Sequence, residues 1–353
     1  MKSFLGLFLI CLFVSCQNRY NDEYIVVDLE NADESILYSS FVDSVSYLTF
    51  HFGDNPIAGI EKIYKNEGYY YILGKQSTGI FIFDEHGNLY SHINSYGEGP
   101  EEFRMISSFS VVGSTGDVCI LDYVSQQTKY YTKEGAFRKS VPCSDWSVDL
   151  ASLSEECIIF ISPFYITDNE QSGIWLADGQ NQMIKQLSDD VTSDHRFYYY
   201  PMTYTISDTC FYYYDRNWDY LSCISDNGMK IMYRFDVKQK LPSYLMGNAR
   251  ISPSMLSGYA ICDRFLYSSP RTLMVYCIFS YDGKTDTRSY VWAMFDNYRH
   301  ELDIAKTLYN DLDDVQIENH EYHHLDDLTW AVTCNDDADS FDICLQLLHL
   351  KNQ

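Results

Sequence analysis

Ile72-Leu73-Gly74 followed by Phe83-Asp84-Glu85-His86-Gly87-Asn88-Leu89 aligns without a gap on Ile120-Leu121-Asp122 followed by Tyr131-Thr132-Lys133-Glu134-Gly135-Ala136-Phe137. The two stretches stand 48 residues apart, and in each, 13 positions separate the end of a strand-like run (Gly74, Asp122) from a turn glycine (Gly87, Gly135). A third copy, Tyr213-Tyr214-Asp215 to Gly228, keeps the same 13. Gly228 lies 93 residues beyond Gly135, close to two periods, and Asp178-Gly179 fills the gap. The glycines have a plain job: the hairpin joining two outer strands needs a residue tolerant of positive φ. A period in the forties with several short strands per unit is the pattern of a propeller blade.

Working outward, the chain divides into six such units at about 57–93, 106–141, 148–187, 203–235, 259–295 and 325–350. The last unit is one strand short, and a strand at 45–50 supplies it, closing the ring and covering an exposed edge. The expected fold is therefore all-β, a six-bladed β-propeller closed by an N-terminal strand. Leu302, Ala305, Leu308 and Leu312 fall near helical spacing, so a short helix is predicted between units five and six. Blades share one ring, so residues 25–353 read as a single domain.

Of the 353 residues 46% are hydrophobic, with 32 Tyr and 20 Phe, enough for a sizeable core and too many for a disordered chain. The formal net charge of −25 repels phosphate backbones and excludes a nucleic-acid binder. The N-terminus reads as an address. Met1-Lys2 precedes an apolar stretch over 3–15. As a helix that stretch spans roughly 20 Å, short of the roughly 30 Å hydrocarbon core, so it is a secretory signal and not a membrane span.

Phe13-Val14-Ser15-Cys16 resembles a bacterial lipobox, with Phe13 where that family has Leu. The resemblance implies cleavage after residue 15, a lipid on Cys16 and a flexible stalk over 16–24. Triacylation would make a near-permanent tether to the membrane. Gly97-Glu98-Gly99-Pro100-Glu101-Glu102-Phe103 closes the first unit, and with the turn before it resembles the NHL-type propeller repeat. With the lipobox, Val26-Val27-Asp28-Leu29 and the strand from Asp43 to Leu48, the arrangement is similar to the six-bladed β-propeller lipoproteins of Gram-negative anaerobes. That resemblance implies an outer-membrane lipoprotein, on either membrane face, and no established reaction.

Candidate sites are few. Gly87, Gly97, Gly99, Pro100, Gly135 and Gly228 read as blade-turn residues. Nine cysteines beyond Cys16, an odd number without framework spacing, read as small buried hydrophobes in preference to disulfides. His320, His323 and His324, beside Asp326 and Asp327, suit a shared metal or a solvated loop. The runs Asp311 to Asp314 and Asp336 to Asp339 lack the grammar of a Ca²⁺ loop. No metal site or cofactor is therefore assigned.

Three runs of three tyrosines start at Tyr69, Tyr198 and Tyr212, and each serves either packing between blades or a platform for sugar rings or a peptide. Tyr198, Tyr199 and Tyr200, with polar His195 and Arg196 nearby, make the best platform. The nucleophile elbow, the Walker loop and the dinucleotide fingerprint are all missing, so no catalytic residue is nominated. The expected function is a non-catalytic binding module for a glycan, peptide or envelope protein. The alternative is a cation-dependent hydrolase or lyase at the central channel, which needs polar residues converging from several inner strands.

Overall fold

The computed structural model describes residues 24–352 apart from 77–78, 144–146, 163–172, 188–203, 207–209, 216–219, 243–244, 246–254, 256, 269–271, 283–286, 297–298, 318–320 and 335–341. Its strands form six antiparallel meanders arranged in a ring. Blade one runs through Ile60–Asn66, Tyr69–Gly74, Ile80–Phe83 and Leu89–Ile93. Blade two uses Ile106–Val112, Asp117–Asp122, Gln127–Tyr131 and Phe137–Pro142, and blade three Asp149–Ser154, Cys157–Ser162, Gly173–Ala177 and Met183–Gln186. Blade four comprises Tyr204–Ile206, Phe211–Asp215, Tyr220–Ser225 and Gly228–Val237, and blade five Ala260–Ser268, Thr272–Asp282, Thr287–Asp296 and Glu301–Tyr309. Blade six has Tyr322–Asp326, Thr329–Thr333 and Ile343–Leu350, and takes Val42–Phe50 as its outermost strand. The first strand of each blade lies innermost.

The apolar runs make sense in this geometry. Both faces of a blade are covered by its neighbours, so a central strand such as Ile80–Phe83 or Gly173–Ala177 is buried throughout. Instead of one core there are six wedges, one at each seam. Side chains that alternate along a strand feed different wedges. Tyr70 packs in the wedge between blades six and one, and its neighbour Tyr71 in the wedge between blades one and two. Tyr212 and Tyr214 fill the seam of blades four and five, and Tyr213 the seam of three and four. These two tyrosine runs are packing.

Ring closure is antiparallel: Ser46 pairs with Leu347 and Phe50 with Ile343. Before it closes the ring, the N-terminal segment does something the periodicity did not announce. Tyr24–Val27 adds a fifth, parallel strand to blade four, with Val27 opposite Val237. A 3₁₀ turn at Leu29–Asn31, capped by Asp28 accepting from the Glu30 amide, steps across to blade five. There Asp33–Leu37 adds another parallel strand, with Ile36 opposite Leu308.

The helix predicted around residues 302–312 is not formed. Glu301–Tyr309 is the fourth strand of blade five. Leu302 and Ile304 pack on the wedge with blade four, whereas Ala305 and Leu308 pack on the wedge with blade six. The apolar residues that imitated helical spacing thus serve two faces of one strand.

Candidate functional site

The connection from blade one to blade two, residues 94–105, folds back on itself. Phe103 N–H donates to the Ser95 carbonyl at 2.9 Å, and Gly97 N–H to the Phe103 carbonyl at 3.0 Å. Glu102 turns its carboxylate inward to accept the Gly99 amide at 2.8 Å. Gly97 leaves room for that carboxylate: a Cβ there would fall 1.9 Å from Glu102 Oε2 and would turn the glutamate out of its bond to Gly99. Blade two grips the loop from beneath. Alternate residues of Gln127–Tyr131 reach it: Lys129 Nζ donates to the Pro100 carbonyl at 3.0 Å, and the Tyr131 hydroxyl to the Glu101 carbonyl at 2.6 Å. Fully buried Asp122 accepts the amides of Arg104 and Met105 at 3.3 and 3.2 Å, and the Ser125 hydroxyl at 2.6 Å.

Between this loop and the outer strands of blade two lies a cleft of about 490 Å³. Glu98, Glu102, Arg104, Gln127 and Lys129 line it with mixed donors and acceptors. Arg104 has one loose ionic partner, Glu98 at 3.8 Å, and is about half exposed. Tyr96, Met105 and Val124, each within two residues of the lining, are exposed large apolar side chains.

A second polar group converges on the axis from three inner strands. Lys62 of blade one donates to the Ser108 hydroxyl of blade two at 2.7 Å and to the Asp149 carboxylate of blade three at 3.2 Å. Ser108 also donates to Asp149, whose side chain is fully buried. The Lys62 ammonium lies over the Tyr64 and Phe109 rings, 5.2 and 5.9 Å from their centroids. Burial is the largest single effect and works against this charge, yet the Asp149 carboxylate and the Tyr64 hydroxyl together outweigh it and hold the amine above the ordinary lysine range. Further round the ring Lys65 pairs with Asp326 at 2.7 Å, and Lys75 with Glu321. Among the described residues, Lys62, Lys65 and Lys75 are each matched to a carboxylate.

Residues 62, 108 and 149 were legible only in hindsight. Their intervals of 46 and 41 residues are close to one blade period, and that spacing was the available signal.

Other expectations meet the structure unevenly. Gly87, Gly135 and Gly228 adopt φ of +81°, +90° and +119° at the turns joining outer strands. In blade three the equivalent position is Asn181, at φ +58°, and not Gly179. The Asp178–Gln182 turn repeats the backbone bonding of the Asp84–Asn88 turn, the aspartate accepting amides two and four residues on. His323 and His324 are adjacent in the strand Tyr322–Asp326 and project to opposite faces, which rules out a shared ion. His323 bonds the Thr333 hydroxyl at 3.4 Å, while burial lowers His324 to about 4.

Asp311 and Asp313 are anchors for the N-terminal segment: Asp311 accepts the Ser39 amide, and Asp313 the Tyr47 hydroxyl at 2.7 Å. Among the described residues no cluster of three or more His, Cys, Asp or Glu is placed to hold a metal. Cys16, His195, Arg196, Tyr198, Tyr199, Tyr200, His320 and the run at 336–339 lie outside the described residues.

Two solved structures share the arrangement. A Bacteroides fragilis protein described as exported superimposes with a TM-score of 0.73 at 13% identity, covering 94% of this chain and 100% of that one. A member of the DUF4221 family from Bacteroides vulgatus does so with a TM-score of 0.55 at 12% identity, covering 89% of this chain and 98% of that one. At such identities the likeness speaks for the fold. No curated protein matches the sequence. The family described as "Domain of unknown function (DUF4934)" matches residues 24–336.

Proposed function

The chain belongs to the DUF4934 family, and from that premise and the geometry above we propose that it is a non-catalytic binding module of the cell envelope. Its ligand, a glycan, a peptide or a segment of an envelope protein, seats in the cleft over blade two. One observation carries this reading. The loop 97–104 is locked from beneath by Lys129, Tyr131 and Asp122, while Arg104 stays half exposed at a cleft of small-ligand size. A rigid loop that presents a guanidinium, carboxylates and a neighbouring exposed tyrosine suits sugars and short peptides, and loses little entropy on binding. The described lysines of the inner strands, Lys62 and Lys65, are spent on Asp149 and Asp326, which favours a scaffold over a reaction centre.

In this proposal the lipid on Cys16 holds the module at the outer membrane, and Tyr198 to Tyr200 with His195 and Arg196 are an aromatic platform for a sugar ring or a peptide. The exported Bacteroides protein with the same fold supports the envelope address.

The test is a thermal-shift screen of the protein against glycans and peptides, beside Arg104→Ala and Tyr96→Ala variants. A ligand at one hundred times its dissociation constant adds about 2.7 kcal/mol of stability. The expected result is a shift that both variants reduce while their unliganded melting temperatures stay close to wild type. A ligand that shifts wild type and both variants equally places the site elsewhere, and turnover of that ligand overturns the non-catalytic reading. Incorporation of labelled palmitate, abolished by Cys16→Ser, tests the anchor separately.

A further inference from the structure

In each of the last three blades two cysteines lie on neighbouring strands or at their ends. In blade six Thr333 is opposite Leu345. The next rung sets Cys334 opposite Cys344, and Cys334 N–H donates to the Cys344 carbonyl at 2.8 Å. Residues opposed in an antiparallel ladder have Cα atoms about 4.5–5.5 Å apart and side chains on one face. A disulfide spans Cα separations of about 4.4–6.8 Å, so the backbone is already at bridging distance. Both residues are half-buried, within reach of a small reagent. On its other side Cys344 faces Thr49 of the ring-closing strand.

Neighbouring blades repeat the theme. In blade five the backbone partners Cys262 and Cys277 are directly opposed. In blade four, burial and then the adjacent Cys210 thiol push the Cys223 thiol up to about 12. These three blades are the ones the N-terminal segment stitches together.

We infer that Cys334 and Cys344 are a disulfide-forming dithiol that clamps the final hairpin of blade six, and with it the strand to which the ring-closing segment is bonded. The oxidant is a disulfide, either low-molecular-weight or carried by a thiol oxidoreductase. One cysteine thiolate attacks it and expels the first thiolate. The other cysteine then attacks the mixed disulfide and expels the second. The two protein thiols lose two electrons and two protons, and the reagent takes them up as two thiols.

The full chain is incubated with oxidised glutathione or with dithiothreitol, alkylated, digested and mapped by mass spectrometry, and both samples are melted. The expected product is a peptide pair joined through Cys334 and Cys344, with a melting temperature about 3–6 °C above the reduced protein. Cys334→Ser and Cys344→Ser each remove that cross-link and reduce the difference in melting temperature. The wild-type map decides the matter even where a variant folds poorly. Recovery of both cysteines alkylated or singly glutathionylated from folded, oxidised protein overturns the inference. A cross-link without a melting shift overturns the clamp.

Discussion

Gly87 and Gly135 occupy the same place in successive blades, yet their surroundings separate them. Both have positive φ, which costs an L-residue with a side chain roughly 1–2 kcal/mol. At Gly135 a Cβ meets nothing closer than 3.9 Å, so Gly135→Ala should cost that amount and little more. At Gly87 a Cβ would sit 1.9 Å from the Thr49 carbonyl, backbone of the closing strand, and the next residues are tied there by His51 N–H donating to the Gly87 carbonyl at 3.0 Å. Gly87→Ala must therefore push the closing strand away. It is expected to lower unfolding free energy by at least about 1 kcal/mol more than Gly135→Ala in urea titrations. Equal midpoints would mean that the turn and the closure are not coupled. The repeat made these glycines legible in the sequence because their requirement is local. Asn181 was hidden because asparagine tolerates the left-handed region almost as well. Its second role, donating from blade three to the Thr128 hydroxyl of blade two at 2.9 Å, exists only in the folded ring.

At the scale of elements, the six units and the closing strand could be read because blade strands are short, apolar and punctuated by turns. Two elements could not. The strand Glu301–Tyr309 carries helix-like spacing because residues serving two wedges break the simple alternation of a half-buried strand. The parallel additions Tyr24–Val27 and Asp33–Leu37 are edge strands with mostly exposed residues, so they carry almost no periodic signal. What they bury is specific: Val27, Leu29 and Ile36 are each under 8% exposed. An apolar side chain so buried contributes about 1.5–3 kcal/mol. A chain beginning at Tyr38 keeps the closing strand and should remain folded, several kcal/mol less stable, with hydrogen exchange quickened first in the outer strands of blades four and five. A chain beginning at His51 loses the closure and should not give a cooperative transition. If the shorter deletion melts like the intact protein, the two added strands are ornaments.

For the whole molecule, acidification sets two effects against each other. The net charge of −25 makes the ring repel itself, and each proton taken up relieves that repulsion. Screening beyond about 8–10 Å at physiological salt keeps this long-range gain small per proton. His324 acts the other way. Its imidazole is half-buried, and although Asp326 pulls upward, desolvation lowers it from 6.5 to about 4. Between those values the unfolded chain binds a proton that the folded ring refuses. The stability is therefore complete above about pH 6.5 and is lost as pH falls toward 4, by up to about 3 kcal/mol. Local desolvation should win over screened repulsion in the upper part of this window, above about pH 5, where most carboxylates are still ionised. Melting temperature is thus expected to fall from pH 6.5 to about pH 5, more steeply in wild type than in His324→Gln. The comparison of slopes, and not of absolute stabilities, carries the test, since the substitution itself disturbs packing beside Trp330. If the variant keeps the wild-type slope, the loss belongs to the ion pairs of the axis. Asp326 is the first of these to examine, because Lys65 holds its carboxyl below the usual range against the opposing effect of burial.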